Sequence, residues 1–328
     1  MVAVILGCCA LVAGLIVGLA YKFLHIYSYH KIDAIYAVLP HTDCGVCGYD
    51  SCLSFARAVA EGKAVPDGCV MGGKKIEHEV ADIIGVVLPL KEDVMAVIHC
   101  KGGTGQALLR SQYEGLPDCH AAALIDNGPK ICSDGCLGFG TCIRCCPFDA
   151  ISIAKNGVAI IDDDLCTGCG KCLSSCPRQL ITLIPKVHNI FLACANHERG
   201  AKVKKYCDVG CTACGICVKT SFSGAIKMKN NLPAIDYTTH ENFVAAAFKC
   251  PSRCFVDLVA HRPKVNIDTK CDGCTVCVQV CPANAIEGEK GIRHIIDKNN
   301  CIGCGICLNV CHVHAISLMG GLAFQRRS

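Results

Sequence analysis

The pattern of hydrophobic and polar positions changes character several times along this chain of 328 residues. An apolar stretch without charge, Val2–Ala20, comes first. Apolar residues then recur at helical spacing in Leu53–Gly62 and in Lys75–Leu88. Val94–His99 has the continuous apolar character of a buried strand. The first third of the chain is therefore predicted to contain helices and one strand.

Farther along, the strand-like segments are short and separated by cysteine-rich loops. Residues 151–161 read as two strands joined by Asn156-Gly157, a dipeptide typical of tight hairpin turns. Asn189–Cys194 reads as another strand. We expect an α+β fold with internal repeats and no single large sheet.

The N-terminal apolar stretch is long enough to cross a membrane, since a helix of about 20 residues spans a hydrocarbon core of roughly 30 Å. Lys22, His25, His30 and Lys31 follow it, so the positive-inside rule places the rest of the chain in the cytoplasm. We expect a single-pass anchor over residues 1–21 in the cell (inner) membrane. A cleaved signal peptide is the alternative, but no basic residue precedes the stretch and no twin-arginine pair occurs in it.

Cysteine dominates the composition, with 32 residues, while aromatic residues make up 5% and tryptophan is absent. Disulfide-dense domains are usually small and secreted, and closely spaced cysteines on one loop suit a shared metal better. We therefore expect a reducing compartment and metal clusters that act as cores, with folding coupled to their incorporation. The weak net charge of +4 gives no indication of nucleic-acid binding.

The first module has the spacing Cys-x2-Cys-x4-Cys-x16-Cys and supplies four thiolates, as one [4Fe–4S] cluster requires. The uneven spacing argues against a structural zinc site, which prefers two paired knuckles. Its predicted ligands are Cys44, Cys47, Cys52 and Cys69.

The last module contains two runs of the bacterial ferredoxin pattern Cys-x2-Cys-x2-Cys-x3-Cys, in which the fourth cysteine of each run binds the other cluster. One predicted ligand set is Cys271, Cys274, Cys277 and Cys311. The other is Cys301, Cys304, Cys307 and Cys281.

The second module combines a regular run with an irregular one, in which Phe139 occupies a ligand position and Cys132 is the predicted replacement. One predicted set is Cys132, Cys136, Cys142 and Cys176. The other is Cys166, Cys169, Cys172 and Cys146, where Cys146 is preferred to Cys145 because it precedes a proline.

The third module has lost cysteines in a pattern that fits the ferredoxin ligand exchange, in which the fourth cysteine of each run binds the cluster of the other run. Its missing ligands, at Ser221, His240, Phe243 and Ala246, make up the complete set for one cluster. The survivors, Cys211, Cys214, Cys217 and Cys250, make up the complete set for the other. We expect one cluster, with Phe243 and its neighbours filling the vacated volume.

The prediction is thus six [4Fe–4S] clusters on 24 of the 32 cysteines. Left over are Cys8, Cys9, Cys100, Cys119, Cys145, Cys194, Cys207 and Cys254. The spacing Cys-x12-Cys-x3-Cys, which begins at Cys119 and again at Cys194, makes Cys207 the counterpart of Cys132 and an alternative ligand in the third module. The others are interpreted as small buried apolar side chains.

The predicted boundaries follow these modules. They are an anchor (1–21), a single-cluster module (22–73), a helix and strand linking region (74–131), a two-cluster ferredoxin-like unit (132–186), a degenerate one-cluster unit (187–262) and a two-cluster ferredoxin unit (263–328).

Taken together, the apolar N-terminus, the Cys44–Cys69 module, the segment Cys100-Lys-Gly-Gly and the tandem ferredoxin units resemble the family of B subunits of the Rnf electron transport complex, in its long multi-ferredoxin form. The resemblance implies a membrane-bound, Na⁺- or H⁺-translocating ferredoxin:NAD⁺ oxidoreductase. Its B subunit would take electrons from soluble ferredoxin and pass them to membrane subunits and to subunits that carry flavin or iron–sulfur clusters.

The sequence shows no phosphate loop, no dinucleotide fingerprint and no nucleophile or acid–base pair, so no bond-making catalytic site is expected in this chain. The alternative function is a membrane-bound polyferredoxin, or a dehydrogenase electron-transfer subunit, without ion pumping. A corrinoid-protein subunit would need a large α/β domain that the sequence lacks.

Overall fold

The computed structural model describes residues 13–18, 30–89, 92–239, 241–319 and 325–326. The chain divides into two compact units, Met1–Lys91 and Glu92–Ser328. Each unit has its own buried core, and cysteines belong to all of the buried groups.

The first compact unit is helical. Residues 30–38 form a helix, and α1 (Cys52–Ala60) and α2 (Gly73–Ile84) follow, with short 3₁₀ turns at Pro66–Gly68 and Val70–Gly72 between them. Ser51 caps α1 because its side chain accepts a hydrogen bond from the backbone N–H of Ser54. The apolar faces of these helices meet around Ile35, Phe55 and Val80.

The predicted membrane-spanning helix is not found among the residues that the structure describes. Of residues 1–21, the structure describes 13–18, which are helical, and the rest of the predicted span lies outside the described residues. Among the helices that the structure describes, none has both the length and the apolar character to cross a bilayer. The predicted fold class was therefore wrong in including an N-terminal transmembrane helix.

The second compact unit repeats one plan three times. Each ferredoxin-like module has an antiparallel pair formed by its first and last strands, a hairpin between them, and two short helices, one in each half. In the second module the pair is β1 (Val94–Ile98) with β4 (Ile181–Pro185), and the hairpin is β2 (Ile151–Ile153) with β3 (Ala159–Ile161). Its helices are α4 (Thr141–Arg144) and α5 (Lys171–Ser175), preceded by α3 (Cys119–Leu124).

The third module follows the same plan. Its pair is β5 (Ile190–Leu192) with β8 (Phe255–Asp257), and its hairpin is β6 (Ile226–Lys229) with β7 (Leu232–Ile235). Its helices are α7 (Ile216–Thr220) and α8 (Val244–Lys249), preceded by α6 (Gly200–Lys204).

In the fourth module, β10 (Val265–Ile267) pairs with β13 (Ile316–Leu318), and the hairpin is β11 (Ile286–Glu287) with β12 (Ile295–Ile296). Its helices are α9 (Val276–Val280) and α10 (Ile306–Val310). Ahead of it, β9 (Val259–His261) pairs with β14 (Gln325–Arg326).

Short helices begin directly after a residue with left-handed backbone. Gly170, Gly215 and Gly305 have φ values of 79°, 74° and 71°, and each follows the second cysteine of its run. Glycine adopts this conformation without the steric cost of a Cβ atom. The turn lets the third cysteine of each of these runs, Cys172, Cys217 and Cys307, enter the first turn of its helix.

Candidate iron–sulfur sites

The four predicted ligands of the first compact unit line one cavity: Cys44, Cys47, Cys52 and Cys69. Asp43 holds the start of α1 in place, because its carboxylate accepts a hydrogen bond from the backbone N–H of Cys52 at 2.6 Å. Burial raises the pKa of the Cys69 thiol, and the other three cysteines add to this rise. A Cβ atom at Gly68 would lie 2.9 Å from the Phe55 ring, so glycine is needed for the chain to return to the site.

In the second module, the regular run also forms the predicted set. A second cavity is lined by Cys146, Cys166, Cys169 and Cys172. The backbone N–H of Ala96 donates to Cys166 Sγ at 3.4 Å, and burial raises the pKa of Cys172 to about 12. Cys145 instead turns its thiol to Ser175 Oγ and to the carbonyl oxygen of Cys142, both at 3.1 Å.

The irregular run differs from the prediction in one ligand. The cavity is lined by Cys119, Cys136, Cys142 and Cys176, and Cys132 lines a different cavity. Burial raises the pKa of Cys142 to about 12, and the groups that add to the rise are Cys136, Cys119 and Cys176. The set that the structure brings together therefore has Cys119 in place of Cys132.

A polar network explains how Cys119 reaches this cavity from outside the run. Asp118 caps α3 by accepting from the backbone N–H groups of His120 and Ala121, and it also accepts from Thr141 Oγ1 at 2.9 Å. Thr141 in turn accepts from the backbone N–H of Cys119 at 2.8 Å. These contacts fix the start of α3 against α4, which carries Cys142.

In the third module, the four remaining cysteines lie together, as expected if the fourth cysteine of the second run binds the cluster of the first run. Burial raises the pKa of Cys217 to about 11, with further contributions from Cys211, Cys214 and Cys250. Cys254 adds a thiol that the sequence interpretation left unassigned, because its Sγ lies 3.3 Å from Cys250 Sγ. No spacing rule marks Cys254, since it lies beyond the last cysteine of the run.

The vacated half of the third module is filled by protein. Phe243 is 1% exposed and packs against the rings of His188 and Tyr237, with Ala246 buried in the same core. Ser221 donates to the buried carboxylate of Glu241 at 2.7 Å. His240 lies outside the described residues.

In the fourth module, the contacts follow the crossed assignment. Burial raises the pKa of Cys307 to about 12, and the cysteines that add most to the rise are Cys304, Cys301 and Cys281, the last from the other run. The thiols of Cys281 and Cys311 accept from the backbone N–H groups four residues later, each at 3.3 Å. Cys271, Cys277 and Cys311 share the apolar core of this module, and Cys274 flanks Cys277.

The spacing of the thiols suits a cluster better than a single zinc ion. A tetrahedral zinc site with Zn–S bonds of about 2.3 Å places its sulfurs roughly 3.8 Å apart. Within the part of the chain that the structure describes, no three cysteine sulfurs lie mutually within 4.8 Å. Four thiols around one cavity, with backbone N–H groups donating to sulfur, fit a [4Fe–4S] cluster, which carries one electron at a time.

His294 is a residue that cysteine spacing gives no means of finding. It is 1% exposed, and its Nδ1 lies 3.4 Å from Cys271 Sγ and 3.9 Å from Cys277 Sγ. A donor beside a cluster sulfur stabilises the more negative, reduced state and raises the reduction potential.

Replacing His294 with leucine should therefore lower the reduction potential of the cluster held by Cys271, Cys274, Cys277 and Cys311. Potentiometric titration of the full chain, followed by electron paramagnetic resonance (EPR), measures the shift. His261→Leu, at an exposed position on β9, is the control. An unchanged potential in His294→Leu, with the cluster retained, would contradict the assigned role.

Three iron–sulfur family models match the chain. They are described as "Putative Fe-S cluster" over residues 39–71, "4Fe-4S binding domain" over 158–181 and "4Fe-4S dicluster domain" over 270–316. These ranges contain the first module, the regular run of the second and both runs of the fourth. The chain therefore carries several [4Fe–4S] binding domains.

Curated relatives extend this likeness over most of the chain. The B subunit of the proton-translocating ferredoxin:NAD(+) oxidoreductase complex of Clostridium ljungdahlii is 37% identical over 77% of this chain and 90% of the relative. The B subunit of the Na(+)-translocating ferredoxin:NAD(+) oxidoreductase complex of Acetobacterium woodii is 36% identical over 76% of this chain and 75% of its own length. The B subunit of the ion-translocating oxidoreductase complex of Methanosarcina acetivorans is 30% identical over 84% of this chain and 92% of its own length.

A solved structure, the formate dehydrogenase–heterodisulfide reductase–formylmethanofuran dehydrogenase complex of Methanospirillum hungatei, aligns with 54% of this chain and 72% of the matched one. Its identity of 21% and TM-score of 0.22 are too low to support an argument. The curated relatives decide the matter: the chain belongs to the family of B subunits of ion-translocating ferredoxin:NAD⁺ oxidoreductase complexes, the Rnf family.

Proposed function

We propose that this chain is an electron-transfer subunit that accepts electrons from reduced soluble ferredoxin and passes them into an ion-translocating ferredoxin:NAD⁺ oxidoreductase complex. The observation that carries the proposal is 37% identity over 90% of a relative named for this activity. Three cavities are lined by four cysteines each, and they would hold the electron carriers that such a subunit needs. The receiving partners would be membrane subunits and subunits that carry flavin or iron–sulfur clusters.

We assign at least six [4Fe–4S] clusters to the chain. The ligand sets are those predicted from the sequence, with Cys119 in place of Cys132 in the irregular run of the second module. The sites most directly supported are the three cavities that each collect four thiols and the fourth-module site around Cys307.

The protein's own residues hold and shield these carriers. The cysteine thiolates would bind the iron, while backbone N–H groups such as those of Ala96 and Ala285 donate to sulfur and buried apolar side chains limit access of water. Ferredoxin gives up one electron at a time, whereas reduction of NAD⁺ to NADH takes two electrons and one proton. The chain would therefore pass two electrons for each NADH, and hydride formation belongs to a flavin-carrying partner.

A carrier of this kind should be reduced by ferredoxin without reducing NAD⁺ itself. The full chain, purified anaerobically with its clusters, should lose visible absorbance within seconds of mixing with chemically reduced ferredoxin. Added NAD⁺ should remain oxidised, because one-electron clusters do not transfer hydride. Bleaching by dithionite but not by ferredoxin would contradict the proposal, and so would NADH formation by the chain alone.

A polyferredoxin without an ion pump is the alternative, and family membership argues against it. Affinity purification of the tagged chain from its own cells separates the two. Recovery together with flavin-containing membrane subunits supports the proposal, and recovery alone overturns it. Location on the cytoplasmic side of the cell membrane stays a prediction from the sequence.

A further inference from the structure

Four cysteines outside the six assigned clusters line a cavity of their own. We define the Cys100 cavity by these residues: Cys100, Cys132, Cys194 and Cys207. We propose that their thiolates hold a seventh [4Fe–4S] cluster, placed between the second and third modules.

The two modules contribute to the Cys100 cavity in the same way. Cys100 lies two residues after the end of β1, and Cys194 lies two residues after the end of β5, the first strand of the next module. Cys132 precedes Cys136 by four residues, and Cys207 precedes Cys211 by four. Each module therefore supplies two thiols from equivalent positions, an arrangement that four unrelated cysteines would not be expected to show.

The sulfurs of the Cys100 cavity receive hydrogen bonds of the kind found at the assigned clusters. The backbone N–H of Cys136 donates to Cys100 Sγ at 3.2 Å, and that of Cys211 donates to Cys194 Sγ at 3.3 Å. These two contacts are again equivalent between the modules. The side-chain amide of Asn196, which is 3% exposed, donates to Cys132 Sγ at 3.3 Å.

The volume of the Cys100 cavity also matches the volumes of the cavities lined by assigned cluster ligands. The Cys100 cavity contains about 390 Å³ of empty space including its opening, against about 320–380 Å³ for the three cavities lined by assigned ligands. A Cβ atom at Gly102 would lie 3.0 Å from Cys207 Sγ, and one at Gly210 would lie 3.4 Å from it. Glycine at both positions leaves the fourth thiol room to face the cavity.

Two other interpretations fit these contacts less well. No disulfide links the described cysteines, and no three described cysteine sulfurs lie as close together as a single zinc ion requires. Lone buried cysteines that merely fill space do not need a shared cavity, a buried amide donor and a repeated pair of N–H···S contacts.

The position of the Cys100 cavity would give the cluster a role. Cys132 and Cys136 are separated by three residues, and so are Cys207 and Cys211, so the cavity adjoins an assigned site in each module. One further carrier would thus connect the clusters of the second module with the single cluster of the third. This relay role rests on the proposed function, whereas the existence of the cluster does not.

Iron counting tests the inference. The anaerobically purified full chain should contain about 28 iron and 28 acid-labile sulfide per molecule, against about 24 for six clusters. Cys100→Ser and Cys207→Ser should each lose about four of both. Cys145→Ser is the matched control and should keep the full number, because its thiol is turned towards Ser175.

The wild-type count decides the question even if a variant fails to fold, because a fully loaded chain with about 24 iron overturns the inference. One zinc per chain that disappears in Cys100→Ser, with iron unchanged, also overturns it. If ferredoxin fails to reduce a chain that holds about 28 iron, the proposed function fails and the seventh cluster stands.

Discussion

Replacing Cys119 with serine should remove one [4Fe–4S] cluster from the second module, with a loss of about four iron atoms per chain. Cys119 lines the cavity that also holds Cys136, Cys142 and Cys176. A serine hydroxyl is a much weaker ligand for iron than a thiolate, and burial in this apolar cavity opposes its ionisation. Anaerobic iron and sulfide analysis of the variant, beside EPR of the reduced chain, measures the loss.

The comparison with Cys132→Ser separates the two ligand sets. If the set inferred from spacing were correct, Cys132→Ser would remove this cluster and Cys119→Ser would leave it intact. With Cys119 in the second-module set and Cys132 holding the cluster proposed in the Cys100 cavity, each substitution removes a different cluster, so the two EPR difference spectra should not coincide. Cys145→Ser is again the control, and a Cys119→Ser chain with its full iron content would refute the assignment.

Sequence spacing predicted the regular sites because three of their ligands lie within seven residues of each other. In the irregular run, Cys119 and Cys132 both precede Cys136, and spacing favoured Cys132 because it is the nearer of the two. The choice depends on tertiary contacts, namely the Asp118 and Thr141 network that fixes α3 against α4. Such a network is not visible in a list of cysteine positions.

The Cys100 cavity shows a second limit of the sequence pattern. The spacing Cys-x12-Cys-x3-Cys pairs Cys119 with Cys194, whereas the strands pair Cys100 with Cys194. Residues 101–118 separate Cys100, the structural counterpart of Cys194, from Cys119 and the cysteines that follow it, and so the repeat is not visible in the spacing. A strand over Val94–His99 was predicted, but the partner of the observed strand Val94–Ile98, which is Ile181–Pro185, is more than 80 residues away and follows only from the fold.

The third module shows what the sequence could predict by counting. Four ligand positions lost together indicated one missing cluster, and the structure places Phe243 and Ala246 in a buried core on that side. The buried Glu241 with its serine donors was not predicted. A buried carboxylate needs such donors, since an unpaired charge in the interior is strongly unfavourable.

Replacing Phe243 with alanine should destabilise the third module by about 3–5 kcal/mol, the usual cost of removing a large buried ring. Phe243 is 1% exposed and stands where an iron ligand would be in an intact run, so no cluster is present to support the cavity left behind. The core that Phe243 occupies also contains Cys211, Cys217 and Cys250. The destabilisation should therefore appear as early loss of that module's cluster, with about four iron released to a chelator at lower urea than in the unchanged chain.

Phe222→Ala is the matched control, because this ring belongs to the same module and is 61% exposed. It removes the same atoms and should shift the urea midpoint for cluster loss very little. Comparing the two variants thus separates the effect of removing a buried ring from the effect of removing a phenylalanine as such. An equal shift in both, or no shift in Phe243→Ala, would show that the ring does not replace the lost cluster as the core of this half of the module.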